Sequence, residues 1–381
     1  MCENYKPCAS SFYKKPRRLL TTLLLDCWQR EYDKRPYRNF RFSLIDFEGR
    51  MQRKFHSVYD FAIIVAFLQK RVMCTVRITG IDLSPDEHEI LYSFVDSLLK
   101  VRRIELRLMN LPSRFFDLLG DRVEIMKVKE LILEGTILTA LDIEALYFLI
   151  MKSEILRHLN VSNCNVSQYD FPLLADGVLK SVSMRSFICN RIVGKGITLD
   201  TTKVAHIVSS LICQNKLEEL EMEKCEFQGR DMEIISEYMA PAARTIHKLN
   251  FSFNCIGPDG AEHIFRAIVS SNTVTHLNIG GNHLGSIGGR IVANYLSSCH
   301  LLVYLNITWN NICPDVMNLI LTSIKKPVKL YRMEIFGNRF DTKSANILRR
   351  LIDAEVLLQK GVDVISVYDE SLGDFRVTRY D

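Results

Sequence analysis

The chain has 381 residues, 48% of them hydrophobic and 24% charged, with a formal net charge of +5. That is ample apolar material for a large core, arranged as two or three ordinary domains or as one elongated one, and it excludes a chain too polar to fold. The eleven cysteines form no C-x-x-C pair and stand apart from the histidines, which excludes the usual zinc-site spacings. Their odd number suits free thiols in a reducing compartment, so a cytoplasmic chain is expected.

Residues 1–72 are expected to form a basic, mainly helical cap. Residues 1–55 carry 13 Lys or Arg against 6 Asp or Glu. Lys14, Lys15, Arg17 and Arg18 offer contact with an acidic partner such as a microtubule surface, or form a solvated arm. The run from Lys14 to Trp28 imitates a signal peptide, but Asp26 interrupts it and no small-residue cleavage site follows. No stretch approaches 18 uninterrupted apolar residues, so no membrane contact is expected. An apolar helix is predicted around Val58 to Leu68. A degenerate repeat starting at Tyr37 (YRNFRFSLIDF) fits the apolar pattern described next.

From Met73 onward an eleven-residue pattern recurs, apolar at positions 1, 4, 6 and 11. It starts at Met73, Val101, Val128 and Leu156, then at Leu179, and then at Leu217, Ile246, Val274, Leu302 and Leu330. The spacing is 27 to 29 residues throughout, except on either side of Leu179, where it is 23 and then 38. The solenoid is expected to span 73–355, with 356–381 as a C-terminal cap and tail. Positions 4 and 6 point inward from a short strand, and 3, 5 and 7 point outward. Asn254, Asn282, Asn310 and Asn338 at position 9 are placed to bond buried backbone groups of neighbouring coils. Cys164 and Cys225 replace Asn in earlier turns; Ile81, Met109 and Thr136 are expected to degrade the ladder at the N-terminal end. A helix follows each strand, with apolar residues spaced i, i+3, i+7, as in Ala261, Ile264 and Ile268. Counted from Leu179, the long repeat carries ten extra residues, placed in a loop of roughly 190–200. Its Gly194-Lys195-Gly196 lacks the frame of a phosphate loop. The predicted architecture is an α/β solenoid of about ten repeats of period 28, with a parallel concave sheet and convex helices.

This pattern, with helix starts such as Ile256-Gly257-Pro258-Asp259-Gly260-Ala261 and Leu284-Gly285-Ser286-Ile287-Gly288-Gly289, resembles the ribonuclease-inhibitor subfamily of leucine-rich repeats. The resemblance covers residues 73 to 355 and implies a horseshoe that binds other proteins. The layout is also similar to that of axonemal leucine-rich-repeat proteins such as the nexin–dynein regulatory complex subunit. Ran GTPase activators of this fold carry a strongly acidic C-terminal region, whereas this chain ends in a mixed-charge VDVISVYDESLGDFRVTRYD. Thr22 to Cys27 resembles the Leu-x-x-x-Cys box of ubiquitin-ligase substrate receptors, but Glu31 stands where that box has an aliphatic residue.

No catalytic constellation is visible: G-x-S-x-G, H-E-x-x-H and the Rossmann glycines are all missing. No enzyme activity, cofactor, metal or nucleic-acid partner is expected. The binding candidates lie on the outward strand face. Glu219, Glu221 and Glu223 form an acidic row that a basic protein surface would relieve, or a solvated face. Asn250, Asn278 and Asn306 at position 5, with Tyr304, Trp309, Arg332 and Phe336, make an aromatic and polar group suited to anchoring a partner. Trp309 at position 8 has a second reading, packing under the adjacent loop. The function read from the sequence is a non-catalytic scaffold or adaptor subunit of an intracellular assembly, with the cilium or axoneme as one location. The alternative is a regulator of an enzyme, either a small-GTPase activator or a ubiquitin-ligase substrate receptor.

Overall fold

The structure is a computed structural model that describes residues 25–30, 32–34, 41–42, 58–80, 88–112, 114–194, 199–213, 216–242, 245–324, 329–371 and 373–380. The chain divides into two compact units, residues 1–166 with 176–184 and residues 167–175 with 185–381. In the first unit, strands β1 (Arg41–Phe42), β2 (Thr75–Thr79), β3 (Arg103–Arg107), β4 (Glu130–Ile132) and β5 (His158–Asn160) lie parallel in chain order. Parallel neighbours need a crossover. Helices α1 (Val58–Gln69), α2 (His88–Leu98), α3 (Phe115–Gly120) and α4 (Ala140–Lys152) lie in the connections. The register Thr75↔Arg103↔Glu130↔His158 joins position 3 of four predicted repeats. At the start of the sheet, β1 pairs Phe42 with Val76, so Phe42 stands at position 4. The frame counted from Tyr37 puts it at position 6, and Tyr37 itself lies outside the described residues.

Helix α5 (Phe171–Lys180) contributes residues to both units. The second unit holds six parallel strands: β6 (Ser186–Ile188), β7 (Glu219–Glu221), β8 (Lys248–Asn250), β9 (His276–Asn278), β10 (Tyr304–Asn306) and β11 (Arg332–Glu334). Between and after them run α6 (Thr201–Cys213), α7 (Gly229–Ala242), α8 (Gly257–Ser270), α9 (Gly285–Leu296), α10 (Pro314–Ser323) and α11 (Thr342–Asp353). Positions 4 and 6 are buried, as in Leu249 and Phe251 or Leu305 and Ile307, and so are the helix positions Ala261, Ile264 and Ile268. In the first unit Ile143, Leu146 and Ile150 do the same. The fold is the expected α/β leucine-rich-repeat solenoid.

One frame moves. Leu179 lies inside α5, and Val182, its position 4, is 62% exposed. The strand is β6, where Phe187 pairs with Leu220, so the repeat starts at Met184 with Phe187 and Cys189 as its buried inward pair. Met184 lies 28 residues after Leu156 and 33 before Leu217, so the insertion is five residues, not ten. In α6, Val204 and Leu211 are buried and Ile207, between them on the same spacing, is half-buried.

The position-9 asparagines form the anticipated ladder. Asn310 Oδ1 accepts the N–H of Asn282 (2.8 Å) and of Leu284 (3.3 Å), while its Nδ2 donates to the carbonyls of Ile279 (3.0 Å) and Ile307 (3.1 Å). Asn254, Asn282 and Asn338 repeat the arrangement. Cys164 Sγ donates to the Leu133 carbonyl at 3.0 Å, a thinner version of the same bond. Thr136 corrects the expected degradation. Its hydroxyl donates to the Leu106 carbonyl (2.7 Å) and accepts the Met109 N–H (3.2 Å), so a short side chain keeps two of the bonds. Ile81 lies outside the described residues.

The tail forms an antiparallel hairpin, β12 (Val364–Asp369) and β13 (Asp374–Arg379). Just before it, the Asp363 carboxylate accepts the N–H groups of Ile335 (2.8 Å) and Phe336 (3.0 Å). In the preceding repeat the equivalent Ile307 N–H goes to the Glu334 carbonyl at 2.9 Å. A side chain thus stands in for the next strand at the edge of the sheet. Burial pushes the Asp363 carboxyl up from its ordinary value, against the two backbone donors.

Candidate functional site

On the outward face of β7 to β11, the fixed register sets side chains from successive repeats side by side. Glu219 accepts the Ser186 hydroxyl (2.7 Å) and lies 3.5 Å from Lys248 Nζ. Glu223 is paired with Lys224 at 2.7 Å. Glu221, between them, has no cation among these pairs. Burial first, then the charge of Glu219, raises its carboxyl, while hydrogen bonds involving Asn250 and Asn190 oppose the rise. The acidic row is therefore partly neutralised at its ends and strained at its centre. Asn190 joins this face only once the repeat is framed from Met184, which is why sequence reasoning missed it.

Four strands on, Glu334 collects a cluster. Tyr304 Oη donates to its Oε2 at 3.0 Å, Asn306 Nδ2 at 2.8 Å, and Arg332 pairs with Oε1 at 2.6 Å. The Arg332 guanidinium also sits 5.6 Å from the centre of the Tyr304 ring, and the His276 ring lies tilted against it at 5.8 Å. Burial, then Glu334, pushes the Tyr304 phenol up to about 12. The position-5 asparagines turn their carbonyl oxygens onto the backbone two residues ahead: Asn250 onto Ser252, Asn278 onto Gly280 and Asn306 onto Thr308. The structure therefore brings Tyr304, Asn306 and Arg332 together around one carboxylate. It leaves Glu219, Glu221 and Glu223 as a separate group with Asn250 beside it.

Trp309 and Phe336 form a third group along the rim, their rings edge to face at 5.4 Å. The signal here lies in the backbone. Position 8 of every repeat from Met73 onward is left-handed: Gly80, Leu108, Gly135, Asn163, Arg191, Lys224, Phe253, Gly281, Trp309 and Gly337. That series confirms the Met184 frame through Arg191. Where the residue is bulky, it lies over the glycine of the next repeat. A Cβ on Gly337 would come within 2.4 Å of the Trp309 indole, and one on Gly281 within 2.6 Å of the Phe253 ring. Trp309 thus packs on the adjacent turn and is still 57% exposed, as Phe253 is at 47%. Lys224 Nζ lies 4.9 Å from the Phe253 ring centre and the Arg379 guanidinium 5.4 Å from that of Phe336.

The outward face of the first unit has a different character. Glu105 is fully buried and bonded by Arg77 (2.6 Å) and Arg103 (2.7 Å), with Arg107 at 3.3 Å. Arg103 extends to Glu130 at 2.6 Å and Arg107 to Glu134. Burial alone would raise the Glu105 carboxyl, but the guanidinium bonds win and hold it at about 2. Three cations and three anions here satisfy one another.

Among the described residues, no group of three or more His, Cys, Asp or Glu is placed to hold a metal ion, and no helix is long and apolar enough to cross a membrane.

These features define a leucine-rich-repeat solenoid with a polarised outer surface. The sequence model of the family described as "Leucine Rich repeat" matches residues 242–265 and 270–290. No curated protein matches the sequence. Among solved structures, the chain is similar to one titled "Crystal structure of TLR13-ssRNA13 complex", at 13% identity and a TM-score of 0.41, over 73% of this chain and 41% of that one. This chain therefore spans less than half of that protein. It is also similar to the tropomodulin C-terminal domain of Caenorhabditis elegans, at 10% identity and a TM-score of 0.31, over 48% of this chain and 90% of that one.

Proposed function

We propose that the chain is a non-catalytic scaffold or adaptor subunit of an intracellular assembly, docking a partner protein on the outward strand face and rim of residues 185–381. The observation that carries this reading is the coexistence on that surface of an underpaired carboxylate, Glu221, with large exposed aromatic side chains. Half-buried acid next to adaptable asparagines and aromatic anchors is the composition of an interface. A basic surface on the partner would relieve the row Glu219, Glu221 and Glu223. We take residues 1–72 and 356–381 as the caps of the solenoid, which the sheet-edge role of Asp363 supports at the C-terminal end. The 28-residue period and the glycine-rich helix starts at Gly257 and Gly285 support placement in the ribonuclease-inhibitor subfamily. A ciliary location rests on layout alone, and no residue described above favours the enzyme-regulator alternative over it.

The test is affinity purification with mass spectrometry from the native cell type, repeated with Glu219→Lys, Glu221→Lys and Glu223→Lys combined. Capture of a stable set of proteins that the triple variant loses, with its melting curve preserved, supports the reading. Unchanged capture by the triple variant rejects the acidic row as the docking surface.

A further inference from the structure

The rim residues Phe253 and Trp309 raise a question that folding alone does not answer. The left-handed conformation at position 8 is imposed by the repeat, and glycine fills it at Gly80, Gly135, Gly281 and Gly337. A bulky residue with positive φ is a backbone outlier, since its Cβ crowds the carbonyl. Phe253 (φ +54°) and Trp309 (φ +55°) accept that cost and then leave about half of each ring in water. Each ring packs over the next glycine on one side and keeps its other side in water, and an outlier that presents so much apolar surface to solvent is a pointer to function.

The layout of the row says what would cover it. Phe253, Gly281, Trp309 and Gly337 occupy position 8 of four successive repeats, and each ring lies over the glycine that follows it, so the two rings form a shallow apolar ledge along the rim. Neighbouring strands are about 4.8 Å apart, which puts Phe253 and Trp309 about 10 Å apart along the row. An α-helix rises about 5.4 Å per turn, so residues seven apart on one face are separated by about 10.5 Å, with residue i+3 or i+4 falling between them. An extended chain returns a side chain to the same face every ~6.7 Å and does not match this spacing. The charges complete the picture. At positions 8 and 10 of β6 to β11 the rim carries exposed Arg191, Lys224 and Arg339 against one exposed acid, Glu226, with Lys224 paired to Glu223 of the strand face. The rim is thus cationic, whereas the strand face beside it carries Glu219, Glu221, Glu223 and Glu334 against Lys248 and Arg332.

We propose that this rim ledge is a docking site for an acidic amphipathic helix of a partner protein, which lays apolar residues i and i+7 on Phe253 and Trp309. The proposal rests on the reading that the second unit docks a protein, and it names which part of the surface does so.

The chain contains two tryptophans. Trp28 is buried, so Trp28→Phe in the full chain leaves Trp309 as the sole reporter of occupancy. The probes are helix-stapled, terminally blocked 18-residue peptides. One carries leucines at i, i+4 and i+7 on an otherwise Asp/Glu-rich helix, one has Lys in place of the acids, and one is a scramble with the stripe broken. The acidic striped peptide is expected to shift Trp309 emission to the blue and to protect it from acrylamide. The other two should bind at least tenfold more weakly. Phe253→Gly, which substitutes the residue that the fold itself uses at this position, should cost at least tenfold in affinity while the circular dichroism melt is retained. Equal binding of the scramble, preference for the Lys peptide, absence of any shift, or an unaffected Phe253→Gly variant each overturns the proposal. The broader reading is separated by the captured partner. If Glu219→Lys, Glu221→Lys and Glu223→Lys together abolish capture but Phe253→Gly does not, the ledge fails and docking stands. If neither weakens capture, both fail.

Discussion

Replacing Asn310 with Ala is the most direct test of what holds the repeats in register. The side chain is fully buried and ties two turns together, accepting from Asn282 and Leu284 and donating to Ile279, Ile307 and Thr308. Alanine removes all five bonds and offers no replacement. Water is excluded at this depth, and a buried unsatisfied backbone group costs about 1–3 kcal/mol. The two amides alone therefore set a loss of about 2–6 kcal/mol, and about 3–4 kcal/mol is expected. Because solenoid units unfold with nearest-neighbour coupling, a single global transition is a blunt readout. Hydrogen exchange at the Asn282 and Leu284 amides, alongside urea denaturation, localises the effect. Asn310→Asp adds a sign. One carboxylate oxygen still accepts from the amides, but the other faces the carbonyls of Ile279 and Ile307, which disfavours its charged form. Its folded pKa is raised, so its contribution to stability is present at low pH and lost as pH rises through the folded value. The Asp variant should be closer to wild type at pH 5 than at pH 8, whereas the Ala loss should be flat with pH. A loss below about 1 kcal/mol for Asn310→Ala, or no change in protection at those two amides, would refute the ladder as the register device.

Three further outcomes follow from the same geometry. Thr136→Val, which removes one donated and one accepted bond, should cost about 1–2 kcal/mol in urea denaturation, less than Asn310→Ala. Glu105→Gln should destabilise at neutral pH, because the folded carboxyl is held at about 2 by Arg77 and Arg103. A depressed pKa gives stability that is present above the unfolded value and lost as pH falls toward the folded one. The gap between wild type and variant should therefore narrow as denaturation midpoints are followed from pH 6 downward. Gly337→Ala should lower the melting temperature and alter Trp309 emission, since the new Cβ meets the indole on a backbone at φ +79°. An unchanged emission spectrum would show that the indole does not rest on that glycine.

Much of the fold was legible because its signals are periodic and apolar. Leu249, Leu277 and Leu305 announce the strand layer, and Asn254, Asn282 and Asn310 the turns between coils. Leu179 misled because a helix end and a strand start present the same leucine. Burial, strand register and the left-handed Arg191 distinguish the exposed Val182 from the buried Phe187 and Cys189, whose types depart from the leucine pattern. Thr136 was read as a gap in the ladder because the asparagine was counted as a residue type. The requirement is a donor and an acceptor near two backbone groups, and a hydroxyl meets it.

The candidate site was legible in its list and not in its grouping. Alternation along the strands correctly turned Glu221, Asn306 and Arg332 outward, but which carboxylate gathers the donors is a matter of reach across repeats. Glu334 holds Tyr304, Asn306 and Arg332, whereas Glu219 meets Ser186 and Lys248. The rim escaped sequence reading for another reason. Position 8 tolerates Gly, Asn, Lys, Phe and Trp alike, so no residue pattern marks it, and its common property is the sign of φ. Once that is known, the sequence can be read again: a glycine is the neutral occupant, and every large side chain there bears a conformational cost. Phe253 and Trp309 then stand out from Gly281 and Gly337 as residues that the fold tolerates without requiring, which is the distinction that a binding surface needs.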